Sequence, residues 1–201
     1  MKLLVATTNT GKLEEIYFIL SDLPWLDLES LRDHPGIAEA EEIGTTFAEN
    51  ARIKATRYST LTTRLTVAED SGLEIDALDG APGVRSARFN GASYPEKFAA
   101  IRAQLKAQGT TESTARFVCA LAVADGTSVI FETTETIEGL LSPDPRGTGG
   151  FGYDPVFFYP PYECTLAEVS GEKKSAVSHR GKAVRRLRSF LVNRSDPTRP
   201  R

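Results

Sequence analysis

The 201-residue sequence predicts an α/β fold built on a mixed sheet. Short apolar runs at residues 3–6 and 65–68 each end in a polar turn, as buried strands do. Stretches with apolar residues three and four apart lie between such runs and read as helices. Asp125-Gly126, set between two long apolar-rich runs, is the strongest hairpin signal in the chain. Strands interleaved with helices plus one hairpin make a mixed sheet flanked by helices the expected architecture.

Taken in order, Leu3 to Ala6 is the first strand, TTNTGK (residues 7–12) the turn, and Leu13, Ile16, Tyr17 and Leu20 the apolar stripe of the first helix. A second helix is predicted from about Thr46, where Thr46 and Glu49 have capping-box spacing, through Tyr58. Leu65 to Ala68 reads as a strand that stops at Glu69-Asp70-Ser71-Gly72. Residues 73–78 (LEIDAL) alternate apolar and polar like a separate, half-exposed strand, followed by the turn DGAPG at 79–83. Ser93 to Lys106 is predicted helical, with Phe98, Ile101 and Leu105 on one side. Ala115 to Ala124 and Thr127 to Ile137 form the hairpin, Val156 to Tyr159 is a strand stub, and His179 to Leu191 is a basic amphipathic helix facing inward with Val184, Leu187 and Leu191. The residues after Asn193 lack apolar anchors, so 1–194 is read as the folded domain and 195–201 as a disordered tail.

Composition excludes several classes. With 40% hydrophobic and 25% charged residues and a net charge of -3, the chain has no global attraction for nucleic acid. Charge is uneven, however: Asp27 to Glu42 is acidic and Arg180 to Arg201 basic. The arginines of that last helix lie among core positions without interleaved aromatics, which suits a solvated face better than an RNA surface. No apolar run is long enough to span a bilayer, and the apolar start is too short for a secretory signal, so a cytoplasmic protein is expected. Cys119 and Cys164 lack metal-ligand spacing, and Cys119 sits in an apolar run as a small hydrophobe would.

Four groups of residues carry chemistry. The turn Thr7, Thr8, Asn9, Thr10, Gly11 and Lys12 aims backbone N–H groups and one ammonium at a single point, which is anion-binding geometry, although it lacks the spacing of a Walker A loop. Lys54 on the second helix can reach the same anion, but a solvated helix lysine is the commoner case. Glu69 and Asp70 follow a strand, and in extended backbone they point to opposite faces. Together with the acidic pair Glu41 and Glu42, they make sense beside a phosphate site if Mg²⁺ lies between, since that ion takes one or two protein carboxylates plus waters and phosphate oxygens. The run GTGGFGYDP at 147–155 offers close backbone approach at its glycines, flat faces at Phe151 and Tyr153, and an acceptor at Asp154. Lys174 and His179-Arg180 add donors able to stack on a base or bond its edge.

Taken together, TTNTGK (7–12), EEIGTTFAENA (41–51), EDSGLEIDALDGAPG (69–83), GTGGFGYDP (147–155) and KSAVSHRG (174–181) resemble the inosine triphosphate pyrophosphatase family, in that family's order and over nearly the whole chain. Thr8 departs from the glycine common in bacterial relatives, and residues 86–113 and 126–147 match poorly. The resemblance implies an elongated two-lobed fold with a long central sheet, a substrate cleft between the lobes, and a homodimer. It places the triphosphate on Thr7 to Lys12 with Lys54 assisting and Ser71 alongside. It assigns Mg²⁺ to Glu41 and Asp70, makes Asp70 the acceptor that activates water, and lines the base pocket with Phe151, Gly152, Tyr153, Asp154, Lys174, His179 and Arg180. The implied reaction is hydrolysis of dITP, ITP or XTP to the monophosphate and pyrophosphate, with no nucleic-acid or membrane partner. Donors at Arg180, Lys174 or His179 would accept the 6-oxo group of hypoxanthine and xanthine and face an unpaired donor on adenine. A septum-formation-type pyrophosphatase acting on dTTP or UTP, and a nucleotide-binding protein without hydrolysis, are the rival readings.

Overall fold

The computed structural model describes residues 1–195, so the expected tail lies outside the described residues from position 196 on. Two compact units emerge. The first comprises Met1–Asp70, Cys119–Glu135 and the chain from Arg180 onward, and the second comprises Ser71–Val118 and Thr136–His179.

In the first unit, strand β1 (Lys2–Val5) pairs in parallel with β2 (Asp27–Ser30) and with the start of β3 (Leu65–Ile75), in register Leu3↔Leu65 to Val5↔Val67. Helix α1 (Thr10–Leu20) contributes Leu13, Ile16 and Leu20 to a core with Leu3, Val5 and Val67. Cys119, Leu121 and Val123 of β4 (Thr114–Asp125) and Val184, Leu187 and Leu191 of α5 (His179–Ser195) complete it. Because strand side chains alternate, Leu4, Thr66 and Ala68 point the other way. That is the side of helix α2 (Phe47–Thr62), whose Ser59 hydroxyl donates to the Ala124 carbonyl at 3.1 Å. The expected capping box is present: Thr46 accepts from the Glu49 N–H at 3.2 Å and Glu49 accepts from the Thr46 N–H at 3.2 Å.

The second unit packs helix α3 (Tyr94–Ala107) through Phe98, Ile101 and Leu105 onto Leu73 and Ile75 of β3, Phe117 of β4 and Ile137 of β5 (Ser128–Leu141). Strand β6 (Phe157–Tyr159) runs antiparallel to β5 and to the two-residue β7 (Cys164–Thr165). Helix α4 (Gly171–Val177) follows. The seven strands are ordered β2-β1-β3-β4-β5-β6-β7, parallel at one end and antiparallel at the other, which is the mixed sheet the sequence predicts.

Three differences from expectation stand out. The predicted strand at 65–68 and the first half of that at 73–78 belong to one eleven-residue strand, β3, and Glu69-Asp70-Ser71-Gly72 runs through its middle instead of ending it, while Asp76–Leu78 forms a 3-10 turn. Both acids are buried and paired inside the protein, so polar residues continue the strand where hydropathy alone suggests a loop. The acidic stretch after Asp27 supplies an edge strand, β2, that lacks apolar alternation. The short elements β7 and α4 carry too few residues for a periodic signal.

Candidate active site

Helix α1 begins at Asn9, whose side chain caps it by accepting the Lys12 N–H at 3.1 Å, while the Asn9 N–H donates to Thr7 Oγ1 at 3.2 Å. Thr8, Asn9 and Thr10 are exposed, and Arg32 donates to Thr10 Oγ1 at 2.9 Å. The helix end thus carries positive partial charge, a nearby guanidinium and the Lys12 ammonium.

Alternation along β3 separates its two acids, as expected. Glu69 faces the α1 and α5 side, where its Oε1 lies 3.1 Å from Lys12 Nζ and 3.0 Å from Arg180 Nε, and its Oε2 accepts from the Cys119 thiol at 3.0 Å. Arg180 is buried and also donates to Glu15 at 2.6 Å. Burial pushes the Glu69 carboxyl up, but Arg180 and Lys12 outweigh it and hold Glu69 well below the usual carboxylate range. Burial and the neighbouring Glu69 charge push the Cys119 thiol up, so it stays a neutral donor.

Asp70 faces α2. Its Oδ2 accepts from Asn50 Nδ2 at 3.1 Å and its Oδ1 lies 3.3 Å from Lys54 Nζ. Asn50 and Lys54 are four residues apart on one helix and so share a face. Lys54 is buried and paired, not the solvated helix lysine of the commoner case. Burial alone would lower its pKa, but Asp70 and Glu42 together raise it. Glu42 Oε1 sits 2.7 Å from the same ammonium, whereas Glu41, the expected metal ligand, is exposed and makes no hydrogen bond or ion pair among the described residues. Of the acidic pair, the second member is the one that meets Lys54. Sequence alone does not tell which of these two neighbouring acids turns inward. Among the described residues no three His, Cys, Asp or Glu side chains group as a metal cage.

The second unit holds a separate cluster. Asp154 Oδ2 accepts from the Phe151 N–H at 2.7 Å and from Lys174 Nζ at 2.6 Å, and that ammonium lies 4.5 Å from the centre of the Phe151 ring. Gly150 must be glycine here: its φ is +66°, and a Cβ would fall 2.2 Å from Asp154 Oδ2. Gly152, with φ of +69°, lets the loop turn back beside Tyr94. Tyr153 departs from expectation. Its ring is buried, edge-on to Tyr94 at 5.2 Å, and its hydroxyl donates to the Ser86 carbonyl at 2.9 Å, so the ring is spent on the core rather than offered as a flat face. His179 is stacked on Phe117 at 4.8 Å, and Phe117 on Phe157 at 4.5 Å. Ser71 is partly buried, immediately after Asp70 on β3. Sequence reasoning missed Asn50 and Glu15; the spacing of Asn50 to Lys54 and of Glu15 to Lys12, four and three residues, was the available signal.

A model of the Ham1 family matches residues 3–190. The chain belongs to the Ham1 family. Among Ham1 relatives, a dITP/XTP pyrophosphatase of an Exiguobacterium species is 46% identical over 96% of this chain and 97% of its own. One from Geobacter sulfurreducens is 45% identical over 94% and 96%. Solved Ham1 structures agree: the protein from Coxiella burnetii superposes with a TM-score of 0.88 at 34% identity, over 96% of this chain and 99% of its own. The Staphylococcus aureus Ham1 protein gives 0.85 at 30% identity, over 97% and 100%.

Proposed function

We propose that this protein hydrolyses deaminated purine nucleoside triphosphates, the dITP, ITP and XTP class, to the monophosphate and pyrophosphate. The observation that carries the reading is the pairing along β3. Two consecutive carboxylates hold two lysines, Lys12 and Lys54, on opposite faces, in a chain 46% identical to a dITP/XTP pyrophosphatase.

Asp70 is the proton acceptor. Asn50 and Lys54 fix its two oxygens, so it meets a water already oriented. The water oxygen bonds to phosphorus, its proton passes to the carboxylate, and the bridging oxygen between α and β phosphorus leaves with the pyrophosphate. Lys12 and the capped start of α1 hold the polyphosphate and offset charge on the leaving group. Lys54 holds Asp70 and Glu42 together. Both carboxylates lie on one ammonium, and two hard oxygen donors suit Mg²⁺, which completes its shell from water and phosphate. Glu42 and Asp70 would hold that ion. It would supply charge neutralisation on the phosphates.

Lys174 presents an ammonium donor pinned by Asp154 beside the Phe151 ring, a donor that suits a 6-oxo purine and disfavours the 6-amino group of adenine. Arg180 takes a different role from the edge-reading one, since Glu69 and Glu15 engage its Nε and Nη1. The working form is proposed to be a homodimer, which light scattering checks at twice the chain mass.

The test is a turnover panel of dITP, XTP, dATP, dGTP, dTTP and UTP with Mg²⁺, following pyrophosphate release, for the wild type and Asp70→Asn. Preference for dITP and XTP with loss of turnover in Asp70→Asn supports the reading. Preference for dTTP or UTP, or near wild-type kcat in Asp70→Asn, overturns it.

A further inference from the structure

The Lys12 ammonium presents a conflict. It is the cation expected to meet the polyphosphate, yet among the described residues its partner is a buried carboxylate of the protein itself, Glu69, at 3.1 Å. The Lys12 side chain is 17% exposed, enough to be reached from solvent, whereas that of Glu69 is 1% exposed. A buried carboxylate left without a cation is costly. Glu69 does not face that cost if Lys12 departs. Arg180 Nε stays on the same oxygen, Oε1, at 3.0 Å, and the Cys119 thiol holds Oε2 at 3.0 Å. Glu15, three residues after Lys12, in turn balances Arg180 at 2.6 Å. Lys12 and Arg180 thus face Glu69 and Glu15, two positive charges against two negative ones.

Resting on the phosphate-binding reading of Lys12, we infer that Glu69 is a positioning residue that competes with the polyphosphate for Lys12. It parks the ammonium while the site is empty, yields it to the incoming phosphates, and takes it back as pyrophosphate leaves. Arg180 is the permanent counter-ion that makes the exchange affordable inside the protein, and Cys119 fixes the far oxygen so that the carboxylate does not rotate after Lys12. The division of labour is visible in the exposures: Arg180 is almost wholly enclosed and Lys12 is not.

The sign of the expected effect separates this from a merely structural role. Removing a competitor tightens ligand binding, whereas damaging a scaffold loosens it. The experiment titrates inorganic pyrophosphate into the full-length protein in Mg²⁺ buffer by calorimetry, with circular dichroism melts for each variant. Glu69→Gln keeps an acceptor for Arg180 but removes the charge that holds Lys12. Its pyrophosphate Kd is expected to fall about twofold to fivefold, the scale of one modest ion-pair contact. Glu69→Asp, which withdraws the carboxylate by one methylene, is expected to move Kd the same way by less, and it decides the matter if the glutamine variant does not fold. In a Lys12→Met background the Glu69→Gln effect is expected to vanish. An unchanged or raised Kd in both folded Glu69 variants overturns the inference. If Lys12→Met alone leaves pyrophosphate affinity untouched, the underlying phosphate reading fails instead, so the two failures are told apart.

Discussion

Glu41 and Glu42 are identical in chemistry and adjacent in sequence, yet only Glu42 reaches the Lys54 ammonium, at 2.7 Å, while Glu41 lies in solvent. Glu42→Gln is therefore expected to lower kcat/KM at limiting Mg²⁺ by about tenfold or more, the usual scale for loss of a metal-orienting group. Glu41→Gln should leave a Mg²⁺ titration of pyrophosphate release nearly superimposable on wild type. At this scale the sequence was partly legible. Period-two alternation correctly separates Glu69 from Asp70, but nothing in the letters distinguishes a buried Tyr153 from a partly buried Phe151. Both are aromatic residues beside glycine, and the neighbours that enclose Tyr153, Tyr94 and Ser86, come from far along the chain. Glu29 supplies a pH prediction. A hydrogen bond from Lys2, with further ones from His34 and Arg64, holds its carboxyl down to about 2 from an ordinary 4.5. A folded value below the unfolded one contributes stability that is complete above pH 4.5 and lost as pH falls toward 2. Melts of Glu29→Gln should accordingly show a shallower loss of stability across that window than the wild type.

Helix α2 is the element that matters most to Asp70, since it delivers both Asn50 and Lys54. Its capping box was readable because Thr46 and Glu49 advertise the start locally. Thr46→Ala should cost about 1 kcal/mol of stability in a denaturant titration. Strand β3 was harder to read. Continuity through four consecutive polar or glycine positions depends on ion pairs and on close packing at Gly72, neither of which is local. A Cβ at Gly72 would fall 2.6 Å from the Gly83 carbonyl oxygen and 2.3 Å from Ser86 Oγ. Gly72→Ala is thus expected to lower the melting temperature far more than a helix-surface alanine would, because backbone must shift to admit it.

For the molecule as a whole, the chain passes between its two units within β3, β4 and β5 and again between His179 and Arg180. Neither unit is a continuous segment, which is why composition offered no boundary to read. The α/β class and the mixed sheet were legible because strand, turn and helix signals are local. The edge strand β2 was not, because an exposed edge needs no apolar alternation. Metal dependence belongs at this scale too. The proposed Mg²⁺ would rest on only two protein carboxylates, Glu42 and Asp70, which Lys54 already holds in its absence. Chelation with EDTA should abolish pyrophosphate release and leave the melting curve in place, and added Mg²⁺ should restore turnover.

Because β1 locks to β3 from Leu3↔Leu65 to Val5↔Val67, removing a single residue downstream of that lock, at Ala68, would turn the rest of the ribbon over. The glutamate would then look toward Lys54 and the aspartate toward Lys12, exchanging the partners of both ammonium groups without altering one letter of the acidic pair. In this short stretch the number of residues decides the pairing as firmly as their identity does.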